Sequence, residues 1–239
     1  MDQRPNILII SGFDPSGGAG MLADTKTVEA CGGKTLGILS ANTIQNNQSF
    51  FELHWVADTT VLATMEALKD SDVHAIKIGI CPNFSSLKIW IDAAKAIWPE
   101  APIVWDPVLK STSGGTFFDT SNGKIELEHI GLITPNKEEY NTLSQLLPKS
   151  DYLIKSFLTS PTGCVDRWIP KVGNAQDWAN QKAPGLEKRG TGCILSSAIA
   201  TCLGAGHSME KSIDLGQAYL QNYYRSNEEK IGKFFAHEN

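Results

Sequence analysis

Asn6-Ile7-Leu8-Ile9-Ile10-Ser11, continued by Gly12-Phe13-Asp14-Pro15-Ser16-Gly17-Gly18-Ala19-Gly20, decides the fold. The first six residues are an apolar run of strand length. The next stretch is rich in Gly, Pro and Ser, the composition of a turn. From Gly20 to Cys31 the side chains of Met21, Leu22, Thr25, Val28 and Cys31 recur near helical spacing. A strand, a glycine-rich loop and a helix in succession form the opening half of a βαβ unit, which requires a parallel neighbour strand.

The same alternation runs along most of the chain. Strands are predicted at Lys34–Ala41, His74–Ile80, Ile103–Val108, Ile130–Thr134 and Tyr152–Phe157, and helices at Thr59–Lys69, Phe84–Ile97 and Lys137–Leu147. Between Leu158 and Lys188 the sequence turns polar and turn-rich, with Cys164–Ile169 as a short strand, and antiparallel edge strands are expected there. Two helices, Cys193–Leu203 and Met209–Tyr224, follow, and the tail from Arg225 is expected to be only partly ordered. The expectation is one α/β domain over residues 1–239: a mainly parallel central sheet with helices on both faces and antiparallel edge strands near 158–188. The aromatic stretch Phe50-Phe51-Glu52-Leu53-His54-Trp55 is open to two readings, a dimer surface or a pocket flap.

The bulk composition excludes several classes. The chain has 239 residues, 41% hydrophobic and 20% charged, ordinary for a globular protein. Its 21 basic and 26 acidic residues give a net charge of −5 with no basic cluster, which argues against a nucleic-acid partner. No apolar stretch reaches membrane-spanning length and no secretory leader is recognisable, so no membrane association is expected. Five scattered cysteines, Cys31, Cys81, Cys164, Cys193 and Cys202, form no C-x-x-C pair. That pattern suits a reducing cytoplasm rather than a disulfide framework or zinc site. His54, His74, His129, His207 and His237 lie in no recognisable nucleophile-partner motif.

In a sheet of this kind, ligands bind beyond the carboxyl ends of the strands. Gly12–Gly20, Gln45-Asn46, Asp106-Pro107 and Thr134-Pro135-Asn136 all fall at such ends. A carboxylate at the position of Asp106 suits Mg²⁺, which takes one or two carboxylates plus phosphate oxygens. Asn136 and Glu139, three apart at a helix start, either face one pocket or cap the helix. Lys155, within an apolar strand, either reaches solvent or meets an anion. Gly190-Thr191-Gly192-Cys193 runs into the apolar stretch Ile194 to Leu203, so free N–H groups, a positive helix end and a thiol coincide. That turn is either an anion site or a tight packing point, and the dipole there is expected to lower the pKa of Cys193. No Walker-type run G-x-x-x-x-G-K-[ST] exists, yet an anion hole, a magnesium carboxylate and a lysine together suggest phosphoryl transfer.

These residues resemble a known family. The Ser11–Gly20 run followed by Ala23-Asp24-Thr25-Lys26-Thr27 is similar to the N-terminal signature of the hydroxymethylpyrimidine/phosphomethylpyrimidine kinases, ribokinase-like enzymes of thiamine biosynthesis. Gln45-Asn46, Lys77-Ile78-Gly79, Trp105-Asp106-Pro107-Val108, Thr134-Pro135-Asn136-Lys137-Glu138-Glu139 and Gly190–Cys193 recur in the family's order, so the resemblance covers about residues 5 to 205. It implies a ribokinase-like fold, ATP and Mg²⁺, and a pyrimidine carrying a hydroxymethyl or phosphomethyl group. It implies that Gly12, Asp14, Ala19, Gln45, Ile80 and Val108 line the pyrimidine site. Asp106 and Glu139 would organise the metal, and Asn136 and Lys155 would face the nucleotide phosphates. Gly190, Thr191, Gly192 and Cys193 would stabilise the transferring phosphoryl group, with Cys193 taking or orienting the substrate's hydroxyl proton. Relatives of this type are often homodimers.

The chain departs from the family pattern at three places. Ser156-Phe157-Leu158 stands where a Gly-Gly-His segment is usual, Arg189 replaces a histidine, and Ile80 replaces a methionine. Two alternatives stand beside the leading reading: a pyridoxal-type kinase, and a pyrimidine-sensing module without turnover.

Overall fold

The computed structural model describes residues 4–46, 48–110, 117–120, 127–147, 150–161, 163–181 and 188–236. The first half holds β1 (Asn6–Phe13), α1 (Gly20–Ala30), β2 (Lys34–Gln45), β3 (Phe50–Trp55), α2 (Asp58–Ala67), β4 (Val73–Ile78) and α3 (Phe84–Ile97). The second half holds β5 (Ile103–Trp105), β6 (Ile130–Ile133), α4 (Lys137–Leu146), β7 (Tyr152–Ser160), β8 (Gly163–Ile169), β9 (Gln176–Gln181), α5 (Thr191–Gly204) and α6 (Met209–Arg225). All nine strands join one sheet in the order β3-β2-β1-β4-β5-β6-β7-β8-β9. The strands β2, β1, β4, β5, β6 and β7 pair in parallel, while β3 pairs antiparallel with β2 at one edge and β7–β8 and β8–β9 pair antiparallel at the other.

The two-sided burial of β1 follows from strand geometry, because successive side chains point to opposite faces. Leu8 and Ile10 enter the layer formed with Val61 and Met65 of α2, Trp90 of α3 and Leu143 of α4. Ile7 and Ile9 enter the opposite layer, with Val28 of α1, Leu195 and Ile199 of α5 and Ile213 of α6. A continuous apolar run is what a strand covered on both faces needs. The chain leaves β1 toward β2 on one side, and toward β4 on the other after the β3 excursion. The crevice between the carboxyl ends of β1 and β4 is therefore the point where strand order reverses and where such sheets bind ligands.

Several details differ from the sequence reading, among them β5, which ends at Trp105 rather than Val108, and β7, which runs on to Ser160 rather than ending at Phe157. Phe50–Trp55 is a strand, paired antiparallel with a β2 that continues to Gln45 rather than ending at Ala41. The edge position of β3 leaves half of its side chains exposed, with Phe51 at 64%, so its aromatic residues do not read as a strand covered on both faces. Strand β4 stops at Ile78, which leaves Gly79 and Ile80 beyond the strand end, with Gly79 N–H still bonded to Ile10 O at 2.8 Å. The tail beyond α6 is docked: Arg189 N–H bonds Lys230 O at 2.8 Å, and the Phe234 ring meets Tyr223 at 5.3 Å. Residues 162 and 182–187 of the edge region, and His237, lie outside the described residues.

The departure at Ser156 has a backbone consequence. The β7–β8 register shifts between Ile154 and Leu158, and Ser156 sits in the left-handed region at φ 51°. Its N–H donates to Asp166 Oδ1 at 2.6 Å, which anchors the bulge next to Lys155. A non-glycine residue in that region is strained by roughly 1–2 kcal/mol, and glycine loses roughly 0.5–1 kcal/mol more entropy on folding. Ser156→Gly is therefore expected to raise stability by about 0.5–1 kcal/mol, read as a higher denaturation midpoint with unchanged slope. A lower midpoint would show that the serine side chain outweighs the strain.

Candidate active site

Two helix N-termini converge on the carboxyl ends of the parallel strands. Helix α1 starts at Gly20 (φ 57°), and α5 follows Gly190, its N-cap, at φ 68°. These conformations suit glycine, and contact enforces the choice. A Cβ on Gly20 would lie 2.2 Å from Gly12 O, and one on Gly190 would lie 2.0 Å from Gly18 O. The glycine-rich loop and the first turn of α5 thus meet backbone to backbone. Both helices turn unpaired N–H groups and the positive ends of their dipoles toward this crevice.

The crevice holds a cavity lined by Gly12, Asp14, Ala19, Gln45, Ile80, Val108 and Cys193, together with Ser11, Thr43, Lys77, Gly79 and Phe117. All six residues expected around the pyrimidine meet there with the thiol. Gln45 is held by its Nε2 donating to Thr43 Oγ1 at 3.0 Å, and Thr43 Oγ1 in turn donates to Phe13 O at 2.7 Å. The outer wall is built by Phe117, whose ring meets Phe50 of β3 edge-on at 5.2 Å. Phe50 thus belongs to the support of the pocket.

A second group adjoins this cavity. Asp106, fully buried beyond β5, accepts from Lys155 Nζ at 2.7 Å and from Thr134 Oγ1 at 3.3 Å, both on Oδ1. Lys155 therefore meets an anion, the Asp106 carboxylate, with its side chain 18% exposed. Burial works against the Asp106 charge, but Lys155 and Lys77 outweigh it and hold the carboxyl below its ordinary range. Burial likewise opposes the Lys155 ammonium, and Asp106 and Glu139 outweigh it and raise its pKa. Asn136 and Glu139 form a full capping box on α4: Glu139 N–H donates to Asn136 Oδ1 at 2.9 Å and Asn136 N–H to Glu139 Oε2 at 2.7 Å. Glu139 Oε1 also accepts from Leu109 N–H at 3.3 Å. Burial raises the Glu139 carboxyl above its ordinary value. A Cβ on Gly192 would lie 2.8 Å from Lys155 Nζ and 3.5 Å from both Asp106 carboxylate oxygens, so the α5 terminus presses against this pair.

Whether these residues fit a magnesium ion turns on Asp106 Oδ2, which is buried and has no hydrogen-bond partner. No group of three His, Cys, Asp or Glu side chains among the described residues is arranged to cage a metal. One free carboxylate oxygen beside the N-terminus of α5 suits a magnesium that arrives on phosphate, since that ion commonly takes one or two protein carboxylates and keeps its other positions for phosphate and water.

The sequence reading missed Lys77 and Asp24. Both side chains are 0% exposed, with Lys77 Nζ 2.9 Å from each Asp24 oxygen. Ser197 Oγ, one turn beyond Cys193 on α5, donates to Asp24 Oδ1 at 2.9 Å. Burial opposes the Lys77 charge, but Asp24 dominates the opposing attraction and keeps the ammonium protonated.

The expectation for Cys193 is overturned in direction. Burial pushes its thiol up to about 12, partly offset by Lys77 and by the Gly20 N–H and reinforced by Asp24 and Asp106. Helix ends lower a cysteine pKa where water can still solvate the thiolate, and here desolvation is the larger effect. The thiol is therefore protonated at neutral pH. Iodoacetamide labelling of Cys193, followed by peptide mass mapping, is expected to accelerate with pH through 10 without reaching a plateau. A plateau below pH 9 would contradict this.

The family model described as Phosphomethylpyrimidine kinase matches residues 14–238. The chain is 29% identical over 247 residues to a thiamine biosynthesis multifunctional protein, ThiED, of Corynebacterium efficiens; the match takes in 93% of this chain but 33% of that protein. The chain thus spans about a third of the length of that relative. Among solved structures, phosphomethylpyrimidine kinase (thiD) from Clostridium difficile superposes with TM-score 0.72 at 25% identity, covering 92% of this chain and 99% of that one. The fold is shared more widely: pyridoxal kinase from Staphylococcus aureus in complex with AMP-PCP gives TM-score 0.80 at 19% identity, covering 98% and 92%. No described helix is long and apolar enough to cross a membrane.

Proposed function

The chain belongs to the phosphomethylpyrimidine kinase family, and from that membership we propose that it transfers the γ-phosphoryl group of ATP to hydroxymethylpyrimidine, to its monophosphate, or to both, in thiamine biosynthesis. The observation that carries the proposal is the meeting of Gly12, Asp14, Ala19, Gln45, Ile80 and Val108 with Cys193 in one cavity under two helix N-termini.

In this reading the Gln45 amide offers both an acceptor and donors to the amino-pyrimidine edge, while Ile80 and Val108 flank the ring. The acceptor oxygen of the substrate attacks the γ-phosphorus, the bond from that phosphorus to the β–γ bridging oxygen breaks, and ADP leaves. The charge that spreads over the transferring oxygens is met by the N–H groups at Gly190 to Cys193, already oriented before the reaction. With a hydroxymethyl substrate, the protonated Cys193 thiol orients the hydroxyl by hydrogen bonding rather than taking its proton, which passes to an oxygen of the transferred phosphoryl group, and Lys77 steadies the negative charge that develops on the attacking oxygen. Lys155 and Asn136 face the nucleotide phosphates. Asp106, with Glu139 behind it, would hold a magnesium ion that neutralises phosphate charge when bound.

The experiment is an ATP-turnover assay with Mg²⁺, run in parallel on hydroxymethylpyrimidine, its monophosphate and pyridoxal. Turnover of either pyrimidine well above pyridoxal is expected. Preference for pyridoxal would move the chain to the vitamin B6 reaction, and tight pyrimidine binding without turnover would make it a sensing module.

A further inference from the structure

Arg189 stands where the family pattern has a histidine, and it is wired into the pocket wall. Its Nη1 donates to Asn46 O at 2.9 Å, and its Nη2 lies 3.4 Å from Asp14 Oδ2. Asp14 lines the substrate cavity and its side chain is only 2% exposed, whereas that of Arg189 is 20% exposed and stands outside the lining. The other Asp14 oxygen accepts from Ser16 N–H at 2.9 Å, within the glycine-rich loop. The Arg189 main chain is fixed as well, through Lys230 O and the Tyr223 hydroxyl. The guanidinium is thus a rigid cation behind an anionic wall residue.

The charges around this cavity come in two pairs. Lys77 faces it with Asp24 behind, and Asp14 faces it with Arg189 behind. Such a wall presents no net charge and admits a neutral alcohol and an anionic monophosphate alike. Without Arg189 the Asp14 carboxylate would be left almost buried and uncompensated, and a phosphate entering the cavity would meet it as a like charge in a low-dielectric setting. A neutral hydroxymethyl group would scarcely register the difference. We propose that Arg189 is a specificity-determining residue, the cation that cancels Asp14 and so lets the pocket accept a phosphomethylpyrimidine as well as a hydroxymethylpyrimidine.

This inference rests on the pyrimidine-kinase reading, and direct binding separates the two. Calorimetric titrations would use hydroxymethylpyrimidine and its monophosphate against the wild type, Arg189→Ala, Arg189→Lys, Asp14→Asn and the Arg189→Ala/Asp14→Asn double variant. Arg189→Ala is expected to weaken the monophosphate at least about tenfold more than the alcohol. Arg189→Lys should keep most of the wild-type ratio, because it keeps the charge. The double variant should restore the ratio, because asparagine retains the acceptor for Ser16 N–H and removes the charge. A merely structural Arg189 would weaken both ligands alike and would not be rescued at Asp14; either result overturns the inference. A wild type that binds the alcohol and refuses the monophosphate also overturns it while leaving the kinase reading intact. A wild type that binds neither overturns both.

Discussion

Replacing Cys193 by alanine is expected to lower turnover by roughly 10²–10³-fold while the KM for the pyrimidine changes by no more than about twofold. The two parameters separate because the cavity separates their sources. In the proposed reading, ring contacts come from Ile80 and Val108 and edge contacts from Gln45, all of which line the cavity and none of which the substitution touches. The sulfur, by contrast, sits in the first turn of α5, beside the Gly20 N–H and within the field of Lys77. A thiol pushed up to about 12 is protonated in the resting site, so its contribution is felt only as the substrate hydroxyl loses its proton. Losing an interaction made only at that moment lowers kcat and leaves ground-state binding alone. Cys193→Ser keeps a hydroxyl that can orient the substrate and should recover part of the loss. Steady-state kinetics of the three proteins decide the matter; unchanged kcat in Cys193→Ala would make this cysteine a packing residue.

The parallel sheet was legible because its signal is local. A strand covered on both faces must be apolar throughout, and Asn6-Ile7-Leu8-Ile9-Ile10 is. The bounds of α3, Phe84–Ile97, also follow from sequence, since Asn83 caps it through Ser86 N–H and its apolar spacing is regular. Strand β3 was seen only as an aromatic stretch with two readings, because an edge strand with half its side chains in water, interrupted by Glu52 and His54, lacks the unbroken apolar run of a covered strand. The docked tail was hidden for a related reason: its anchors, Lys230 O and the Phe234 ring, are long-range contacts. At the site, motif order named residues that the fold brings around one cavity, but charge pairing needs three dimensions. Asp14 and Arg189 are 175 positions apart, and Asp24 and Lys77 are 53 apart. Lys77 did carry a signal. It sits between Ile76 and Ile78, and the argument that a lysine in an apolar strand needs an anion applies to it as well as to Lys155. The Cys193 pKa was misread because the helix end is visible in sequence while the desolvation around it is not.

The Asp24–Lys77 pair leads to the second large effect. Asp24→Asn is expected to destabilise the fold by roughly 3–5 kcal/mol, the usual penalty for breaking a fully buried pair from one side. Asparagine fills the same volume and can still accept from Ser197, so neither a cavity nor a lost hydroxyl partner explains such a loss. What remains is an ammonium with no exposed surface, deprived of its counter-charge and of one of its two contacts at 2.9 Å. Asp106 attracts Lys77 as well, but Lys155 already holds Asp106, so it cannot replace Asp24. The control is the double variant Asp24→Leu/Lys77→Met, which removes both charges and keeps similar volume. It should regain most of the lost stability, because apolar replacements of buried ion pairs are often neutral. Urea denaturation of the wild type and the two variants tests this. A loss below about 1 kcal/mol in Asp24→Asn would mean that Lys77 sheds its proton or finds water. If the double variant folds yet fails to turn over substrate, the ion pair is present for the reaction rather than for the fold, because Lys77 is the cation that the cavity and the Cys193 thiol both face.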